Sequence, residues 1–353
     1  MINKGFRGAC LLCFFLVMYS CSKEESPELV PEDESTEQLI PLSDTARVVG
    51  YLPYYRFAQV DAIAFCQLSH LNIAFANPNA AGALEVPTNG ASIGIQEVIA
   101  AAKAQNPELT ILISLAGGAL TEEVAAAWNH AIENETERAV LIENIVAFVL
   151  EHNLDGVDVD LEWNDITASY SSFVLALNEA LDEHTKLITA AYPSETRYPE
   201  VSDRALEALD FINIMAYDYR GPWNPTNVGP HSTLEHAQRG IDFWKRQGIS
   251  PLKLTLGVPF YGYEFQPSGT VVAKTYASIV DQNPNNADRD QVDRFYYNGR
   301  TTIRAKTHLA IEEVGGIMIW ELGQDRFDQY SLLTTIHNAY ATAGVVTSRS
   351  CSP

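Results

Sequence analysis

The sequence is poor in cysteine and in basic residues, and both shortages restrict what the protein does. Its 353 residues include five cysteines, whose spacing matches neither a disulfide framework nor a zinc site. Lys and Arg total 23 against 45 Asp and Glu, which gives a net charge of −22. A protein this acidic binds nucleic acid and anionic membrane surfaces poorly. We therefore expect no nucleic-acid partner, whereas a neutral substrate such as a carbohydrate is compatible with this charge.

Residues 1–21 have the features of a targeting segment. Basic residues precede an apolar run, Ala9–Tyr19, which is as long as the central region of a signal peptide and too short to span a bilayer. The run ends at Cys21 and resembles a bacterial lipoprotein signal, in which this cysteine becomes the lipidated first residue. The SKEE that follows resembles the surface-export tag of Bacteroidetes lipoproteins. We expect a lipid anchor at the outer membrane, with the protein on the cell surface; the alternative is a secreted protein with an incidental Cys21.

Residues 22–46 cannot form a hydrophobic core. Seven acidic residues lie between Glu24 and Glu37, and three prolines are spread through the segment. This composition is typical of an extended, solvated tether. No second linker of this kind follows, so we expect one domain over residues 47–345 and a short tail over residues 346–353.

From Arg47 onward, short apolar runs alternate with amphipathic segments, which is the pattern of parallel β/α units. The predicted strands are residues 48–55, 71–77, 109–118, 156–162, 187–194, 211–219, 254–263 and 315–325. The predicted helices are Ile95–Asn106, Thr121–His130, Arg138–His152, Ser169–His184, Thr233–Gly248 and Thr302–Glu313. Eight strands with intervening helices predict an α/β fold, a (β/α)8 TIM barrel with a short insertion between strands 7 and 8.

The active site of such a barrel lies at the carboxyl ends of its strands. Small, polar or aromatic residues stand at most of the predicted ends: Tyr54, Tyr55, Asn77, Gly117, Gly118, Glu162, Tyr192, Tyr217, Asp218, Tyr261, Trp320 and Glu321. Inert barrels also have polar rims, but this convergence on one end indicates a functional site.

One predicted strand, within Leu154–Asp165, places three carboxylates on one face. Asp158, Asp160 and Glu162 alternate with Val and Leu, so the acids point to one side and the aliphatic residues to the other. A solvated edge strand or a magnesium site would also fit, whereas a calcium loop requires Gly and Asx residues where this strand has Val. Carboxylates at the roughly 6–7 Å spacing of a strand cannot all stay ionised in a partly desolvated site. At least one pKa is therefore expected to rise, which makes a proton donor near neutral pH.

Residues 155–162, DGVDVDLE, resemble the D-G-x-D-x-D-x-E signature of glycoside hydrolase family 18, the chitinase family, and agree with it at every fixed position. Three further segments resemble family motifs: MAYD at 215–218, LGVPFYG at 256–262 and IMIWELGQD at 317–325. The S-x-G-G motif of the third strand is altered here to SLAGG at 114–118, which leaves the local backbone open. The resemblance covers nearly all of residues 48–340.

The resemblance implies substrate-assisted hydrolysis with retention of configuration, an exception among retaining glycosidases. Glu162 would protonate the leaving glycosidic oxygen while the substrate's own 2-acetamido oxygen attacks the anomeric carbon. Asp160 would orient the acetamido N–H, Asp158 would share charge or a proton with it, and Tyr217 would hold the acetamido oxygen. The predicted substrate-binding residues are Asp218, Met215, Trp320, Tyr54, Tyr261, Trp163 and Trp223, and Tyr263 is a further possible stacking residue. We expect a monomer with no cofactor and no metal in the site.

Three functions fit this resemblance. The first is an endo-acting chitinase that cuts β-1,4 links between N-acetylglucosamines, the second an endo-β-N-acetylglucosaminidase acting on N-glycan cores, and the third a chitin-binding lectin. Asp218 favours chitin, because members of the second group often have Asn there, and Glu162 argues against a lectin. About fifty residues separate the last two strands, which predicts a small flap and an open cleft. Residues 281–293 are interpreted as a solvated loop, and calcium binding there is left open.

Cys21→Ala should release or mislocalise the protein, because it removes the residue that would carry the lipid. Cell fractionation with detergent partitioning measures this. Cys13→Ala, which leaves Cys21 in place, is the matched control and should fractionate like the parent. A Cys21→Ala protein that still partitions with membranes would contradict the lipoprotein interpretation.

Overall fold

Eight parallel strands close into a barrel in the computed structural model, which describes residues 39–79, 82–88 and 93–347. The ring is complete because the first strand pairs with both the second and the eighth: Gly50 lies opposite Leu71 on one side and Ile319 on the other. The barrel strands are Arg47–Pro53, His70–Pro78, Thr110–Ala116, Gly156–Asp160, Leu187–Pro193, Phe211–Met215, Leu254–Pro259 and Gly316–Trp320. The predicted TIM barrel is confirmed.

The helices pack around this barrel, and several begin at a hydroxyl cap. Five of them follow a Ser or Thr whose side chain accepts a hydrogen bond from a backbone N–H of the first turn, which satisfies an otherwise unpaired donor: Thr121, Ser202, Thr233, Thr275 and Ser331. The helices are Ile95–Gln105, Glu122–Glu133, Glu135–Glu151, Tyr170–Asp182, Asp203–Ala208, Leu234–Arg246, Tyr276–Gln282, Arg300–Glu313 and Leu332–Thr342. The six predicted helices are present, with ends that differ by at most three residues; the helices at 203–208, 276–282 and 332–342 are additional.

The acidic strand divides its side chains between the two sides of the barrel wall, as its alternation predicts. Val157, Val159 and Leu161 pack into the core between barrel and helices, whereas Asp158 and Asp160 are buried on the opposite side. The strand ends at Asp160, two residues earlier than predicted. The acid that follows therefore stands on the loop beyond the strand.

The first predicted strand also ends early. It stops at Pro53, and Tyr54 begins a 3-10 helix that runs to Ala62. Further 3-10 turns connect barrel elements, and a two-residue strand, Leu84–Glu85, pairs with the end of the second barrel strand. The additional 3-10 segments are Phe65–Gln67, Trp163–Asp165, Pro251–Lys253, Pro284–Asp288 and Leu322–Gln324.

The insertion between barrel strands 7 and 8 is short, as predicted, but it is a folded unit rather than a loop with a flap. It contains an antiparallel sheet of four strands, in the order Val271–Thr275, Tyr261–Phe265, Phe295–Tyr296 and Gln291–Val292. Within the segment interpreted as a solvated loop, two acids are engaged by the protein. Asp288 pairs with Arg300, and Asp290 accepts hydrogen bonds from the Gly299 N–H and the Thr302 hydroxyl.

The described part of the predicted tether contacts the barrel. The Leu42 N–H donates to the Ile311 carbonyl at 2.8 Å, and Thr45 forms a parallel bridge with Val346 of the predicted tail. Residues 39–46 are therefore attached to the catalytic domain, whereas Cys21 and the rest of the tether lie outside the described residues. Crossing a bilayer requires a helix longer and more apolar than any in the described ranges.

Candidate active site

Asp158 lies at the centre of the barrel interior and is completely buried. Four side chains from four different strands donate hydrogen bonds to its two oxygens: Tyr51 at 2.7 Å and Ser114 at 2.8 Å to Oδ2, and Thr189 at 2.6 Å and Asn213 at 3.2 Å to Oδ1. Burial raises the pKa of Asp158, and these four hydrogen bonds oppose that rise. A carboxylate with this many donors is stabilised as an anion.

Asp160 has the opposite environment. Its side chain is 4% exposed, and its buried Oδ1 has no hydrogen-bond partner among the described residues. Burial raises the pKa of Asp160 well above its ordinary range, and the charges of Glu162 and Asp158 raise it further. Of the two interior carboxyl groups, Asp160 therefore has the environment that favours the protonated form more strongly.

Glu162 stands two residues beyond Asp160, at the start of the 3-10 turn Trp163–Asp165. Burial raises its pKa to about 7; the charge of Asp218 raises it as well, and a contact with Trp163 partly offsets both. Its carboxyl lies so close to Gly118 that a Cβ at that position would overlap it. The second glycine of the SLAGG motif thus makes room for Glu162, which is poised to donate a proton near neutral pH.

An apolar pocket adjoins the three acids. Tyr217 and Met215 pack with Met318 and Trp320 in a cluster on the inner side of the barrel, and the Tyr217 hydroxyl points to the Met318 sulfur at 3.9 Å. The Trp320 ring stacks on Phe75, with ring centroids 5.7 Å apart, and meets the edge of Tyr51 at 5.6 Å. The pocket offers aromatic surface for an apolar sugar face beside acids that supply charge and protons.

Asp218 is held beside this pocket in a left-handed backbone conformation, with φ of 60°. Its Oδ1 accepts a 2.5 Å hydrogen bond from the Tyr261 hydroxyl and lies 3.2 Å from Nδ1 of His231. Tyr261 belongs to the first strand of the insertion sheet. The structure therefore brings together five of the predicted binding residues around the acids: Asp218, Met215, Trp320, Tyr261 and, against His231, Tyr263.

The remaining predicted aromatics lie outside the cluster of Tyr217, Met215, Met318 and Trp320, and of them Trp163 contacts Glu162. Trp163 is 62% exposed and Trp223 58% exposed; the first donates its backbone N–H to the Tyr198 hydroxyl, and the second contacts the edge of Tyr263. Both follow barrel strands at their carboxyl ends, on the rim. Tyr54 packs on the outer core and against Tyr55, and none of its described contacts reaches an acid of the site.

Several site residues escape sequence reasoning. Tyr51, Thr189 and Asn213, which surround Asp158, sit inside ordinary strand patterns, and His231 lies in a loop with no motif signal. Their alternation with aliphatic neighbours places them on the inner face of the barrel, which is the one signal available. The described residues include no group of three or more His, Cys, Asp or Glu side chains placed to hold a metal ion.

Comparison with known proteins agrees with this geometry. The model of the family described as Glycosyl hydrolases family 18 matches residues 47–325. The chain belongs to this family. The resemblance drawn from DGVDVDLE is thereby confirmed.

Solved structures and curated relatives of family 18 resemble the chain to different extents. The GH18 chitinase ChiB from the chitin utilization locus of Flavobacterium johnsoniae is 47% identical, with a TM-score of 0.82, over 85% of this chain and 95% of that one. A chitinase from Bacteroides thetaiotaomicron is 28% identical, with a TM-score of 0.71, over 84% and 96%. Chitinase B of Serratia marcescens is 26% identical over 73% of both chains.

Other curated relatives are longer than the region they share with this chain. The match covers 38% of probable chitinase 2 of Drosophila melanogaster, which is 29% identical over 49% of this chain. It covers 66% of endochitinase 1 of Metarhizium robertsii, which is 25% identical over 67% of this chain. The chain thus spans about two fifths to two thirds of the length of these relatives.

Asp218→Asn should lower the pKa of Glu162 from about 7 towards its ordinary value, because it removes a negative charge that disfavours ionisation of Glu162. Burial, which is the larger cause of the raised pKa, remains in the variant, so the pKa of Glu162 should fall only part of the way to its ordinary value. Carbon-13 NMR titration of the Glu carboxyl signals measures this pKa, and the signal lost in Glu162→Gln identifies Glu162. Asp182→Asn, an exposed change at a helix end, is the matched control. An unchanged or higher pKa in Asp218→Asn would show that this charge does not act on Glu162.

Proposed function

We propose that the protein is a chitinase that hydrolyses β-1,4-linked N-acetylglucosamine chains with retention, by substrate-assisted catalysis. The observation that carries this proposal is that the buried Oδ1 of Asp160 has no hydrogen-bond partner among the described residues. Asp160 lies next to the proton donor Glu162 and to the aromatic pocket. An unpaired buried oxygen is costly, so a substrate group that pairs with it is favoured there. The N–H of a 2-acetamido sugar is such a group.

The reaction follows from these positions. Glu162, protonated below its pKa of about 7, gives its proton to the glycosidic oxygen as the bond from that oxygen to the anomeric carbon breaks. The acetamido oxygen of the same sugar forms a new bond to the anomeric carbon from the opposite face, giving a cyclic oxazolinium ion and releasing the leaving sugar. Water then opens this ring while Glu162 takes back a proton. Two inversions at one carbon give net retention.

Asp160 and Asp158 support the positive intermediate. In the empty site the proton rests on Asp160, because Asp158 has four donors and Asp160 Oδ1 has none. When the acetamido N–H donates to Asp160, that carboxyl gains its missing partner, its ionised form is stabilised, and the proton that it gives up passes to Asp158. The negative charge then lies next to the developing positive ring. Tyr217, on the apolar side, would keep the acetamido oxygen in line.

Glu162→Gln should remove most turnover, by about 10²–10⁴-fold, and keep oligosaccharide binding, because the shape persists without the proton. Asp160→Asn should also lose rate, since no negative charge can form behind the acetamido group. Hydrolysis of chitin oligomers and calorimetric binding measure the two effects. A thiazoline analogue of the intermediate should inhibit more strongly than substrate binds.

Two readouts decide whether the substrate's own acetamido group is the nucleophile. NMR of fresh digests should show the β anomer first, and fully deacetylated chains should not be cut. Initial α product, or equal rates on deacetylated chains, would overturn the assignment of roles. Release of N-glycans from glycoproteins in place of chitin cleavage would instead favour an endo-β-N-acetylglucosaminidase, and binding without any turnover would favour a lectin.

We also propose that the cleft is open and that cleavage occurs within chains. Every aromatic side chain that the described residues expose strongly lies in a segment that follows a barrel strand: Tyr55, Trp163, Tyr219, Trp223 and Phe327. Exposed aromatic rings on such a rim can stack on successive sugars. The insertion sheet is small, and two of its four strands have two residues each. This arrangement favours a long substrate lying across the barrel mouth.

Time courses on long N-acetylglucosamine oligomers should therefore show a mixture of mid-chain products from the earliest points. Mass spectrometry of samples quenched at low conversion measures the distribution. A single product size released from one chain end would contradict an open cleft. Trp223→Ala should shift the cleavage position while leaving the acids intact, whereas Phe148→Ala, a control on a helix outside the barrel, should leave it unchanged.

We further propose that the protein acts on the cell surface as a lipid-anchored monomer. The support is the sequence of residues 1–21 and the SKEE that follows. A surface enzyme would reach polymers that cannot enter the cell. The fractionation of Cys21→Ala tests the anchor, and the oligomeric state stays a prediction that light scattering can measure.

A further inference from the structure

His231 is a buried histidine that the reaction above does not use. It lies in the loop between Asp218 and the helix Leu234–Arg246, and its side chain is 1% exposed. The rings of Tyr261 and Tyr263 flank it, each with a centroid 5.0 Å from that of the imidazole. Buried polar groups are retained where their hydrogen bonds are satisfied, so its two nitrogens need partners.

The two partners of His231 are both acceptors. Nε2 lies 3.2 Å from the backbone carbonyl oxygen of Tyr261, which cannot donate, so this nitrogen carries a hydrogen. Nδ1 lies 3.2 Å from Oδ1 of Asp218. Since the Tyr261 hydroxyl already donates to that oxygen, His231 supplies a second contact to the same atom.

We propose that His231 is a positioning residue that donates from Nδ1 to Asp218 and fixes that carboxylate beside Glu162. The expected effect on catalysis rests on the proposed chitinase function, whereas the contact between His231 and Asp218 does not. The Asp218 side chain is 37% exposed, so packing alone does not hold its carboxylate in one position, and its left-handed backbone is one that Asp adopts more readily than most residues. Two donors on one oxygen fix the carboxylate where the backbone alone would not.

The loop that carries His231 is itself anchored. The Tyr219 N–H donates to the His231 carbonyl at 2.9 Å, and the Ser232 hydroxyl donates to the Ala216 carbonyl at 2.6 Å. The buried ammonium of Lys306 donates to both the carbonyl and the hydroxyl of Ser232. These contacts attach the loop to the end of the sixth barrel strand and to the helix Arg300–Glu313. The backbone that carries the His231 imidazole is therefore held in place.

Two isosteric substitutions separate the two contacts of His231. In His231→Asn the amide nitrogen stands near the position of Nδ1, so a donor to Asp218 remains while the contact to the Tyr261 carbonyl is lost. In His231→Gln the amide nitrogen stands near Nε2, so the contact to the Tyr261 carbonyl remains while the donor to Asp218 is lost. If His231 positions Asp218, kcat on chitin oligomers should fall in His231→Gln by about 10- to 100-fold and far less in His231→Asn. KM should change less than kcat in both, since His231 itself does not touch substrate.

The opposite order of the two variants, or equal losses, would overturn the proposal, because a residue that only joins the loop to the insertion sheet would depend on the Tyr261 contact. Thermal melts followed by circular dichroism show whether each variant folds. A second measurement needs neither variant activity nor substrate. Long-range proton–nitrogen NMR of the histidine rings should show a hydrogen on Nδ1 of His231, assigned by the signals lost in His231→Asn.

A bare Nδ1 would overturn the donation to Asp218 whatever the enzyme hydrolyses. Conversely, a parent protein that cuts no chitin oligomer would remove the proposed function and leave the NMR result to decide the contact. The two failures are therefore distinguishable.

Discussion

Asp158 is a carboxylate buried away from water, and the barrel interior is arranged so that hydrogen bonds from the protein stabilise its charge. Burying a carboxylate costs several kcal/mol unless hydrogen bonds replace its hydration. Here the donors come from the first, third, fifth and sixth strands. Such convergence requires a closed ring with one register, because donors on a slipped strand would point to the other face. The burial of Asp158 as an anion thus depends on the fold, and its charge in turn acts on the neighbouring Asp160.

Hydrogen bonding, more than exposure, decides where the protons rest. Asp158 and Asp160 are both buried, yet one has four donors and the other an unpaired oxygen. Glu162 lies between that protonated partner and the charge of Asp218, and its pKa of about 7 results from burial and this charge. Asp160 and Glu162, whose pKa values are raised by burial and by neighbouring charges, therefore lie between Asp158, which four donors stabilise as an anion, and the charge of Asp218. This order avoids adjacent negative charges.

The local periodicity of the sequence predicts the strands, the helices and the acidic segment. The contacts between residues that are far apart in the sequence could not be predicted from it. Eight strands and six helices follow from apolar spacing, and the acids follow from alternation within one short segment. Tyr51 meets Asp158 across 107 residues of sequence, and Thr189 meets it across 31. Nothing local distinguishes these polar residues from others in strands until the register is known. The insertion sheet was missed because two of its strands have only two residues each, too few to show a period, and because Tyr261–Tyr263 at the start of another was assigned to the seventh barrel strand.

Tyr54 shows the limit of reasoning from strand ends. The sequence places it at the mouth of the first strand, but Pro53 ends that strand and the chain turns into a 3-10 helix that packs Tyr54 outward against the core. Tyr261 shows the converse. It begins a strand of the insertion rather than ending a barrel strand, and it reaches the site through its hydroxyl.

The insertion between the last two barrel strands therefore does more than border the cleft. Its first strand supplies the Tyr261 hydroxyl to Asp218 and the Tyr261 carbonyl to His231, while Tyr263 packs on both His231 and Trp223. These contacts lie at the base of the insertion, next to the seventh barrel strand, and need none of its outer strands. The height of the cleft wall can therefore differ without loss of the contacts that hold Asp218 and His231. A small insertion can leave the cleft open and still complete the site.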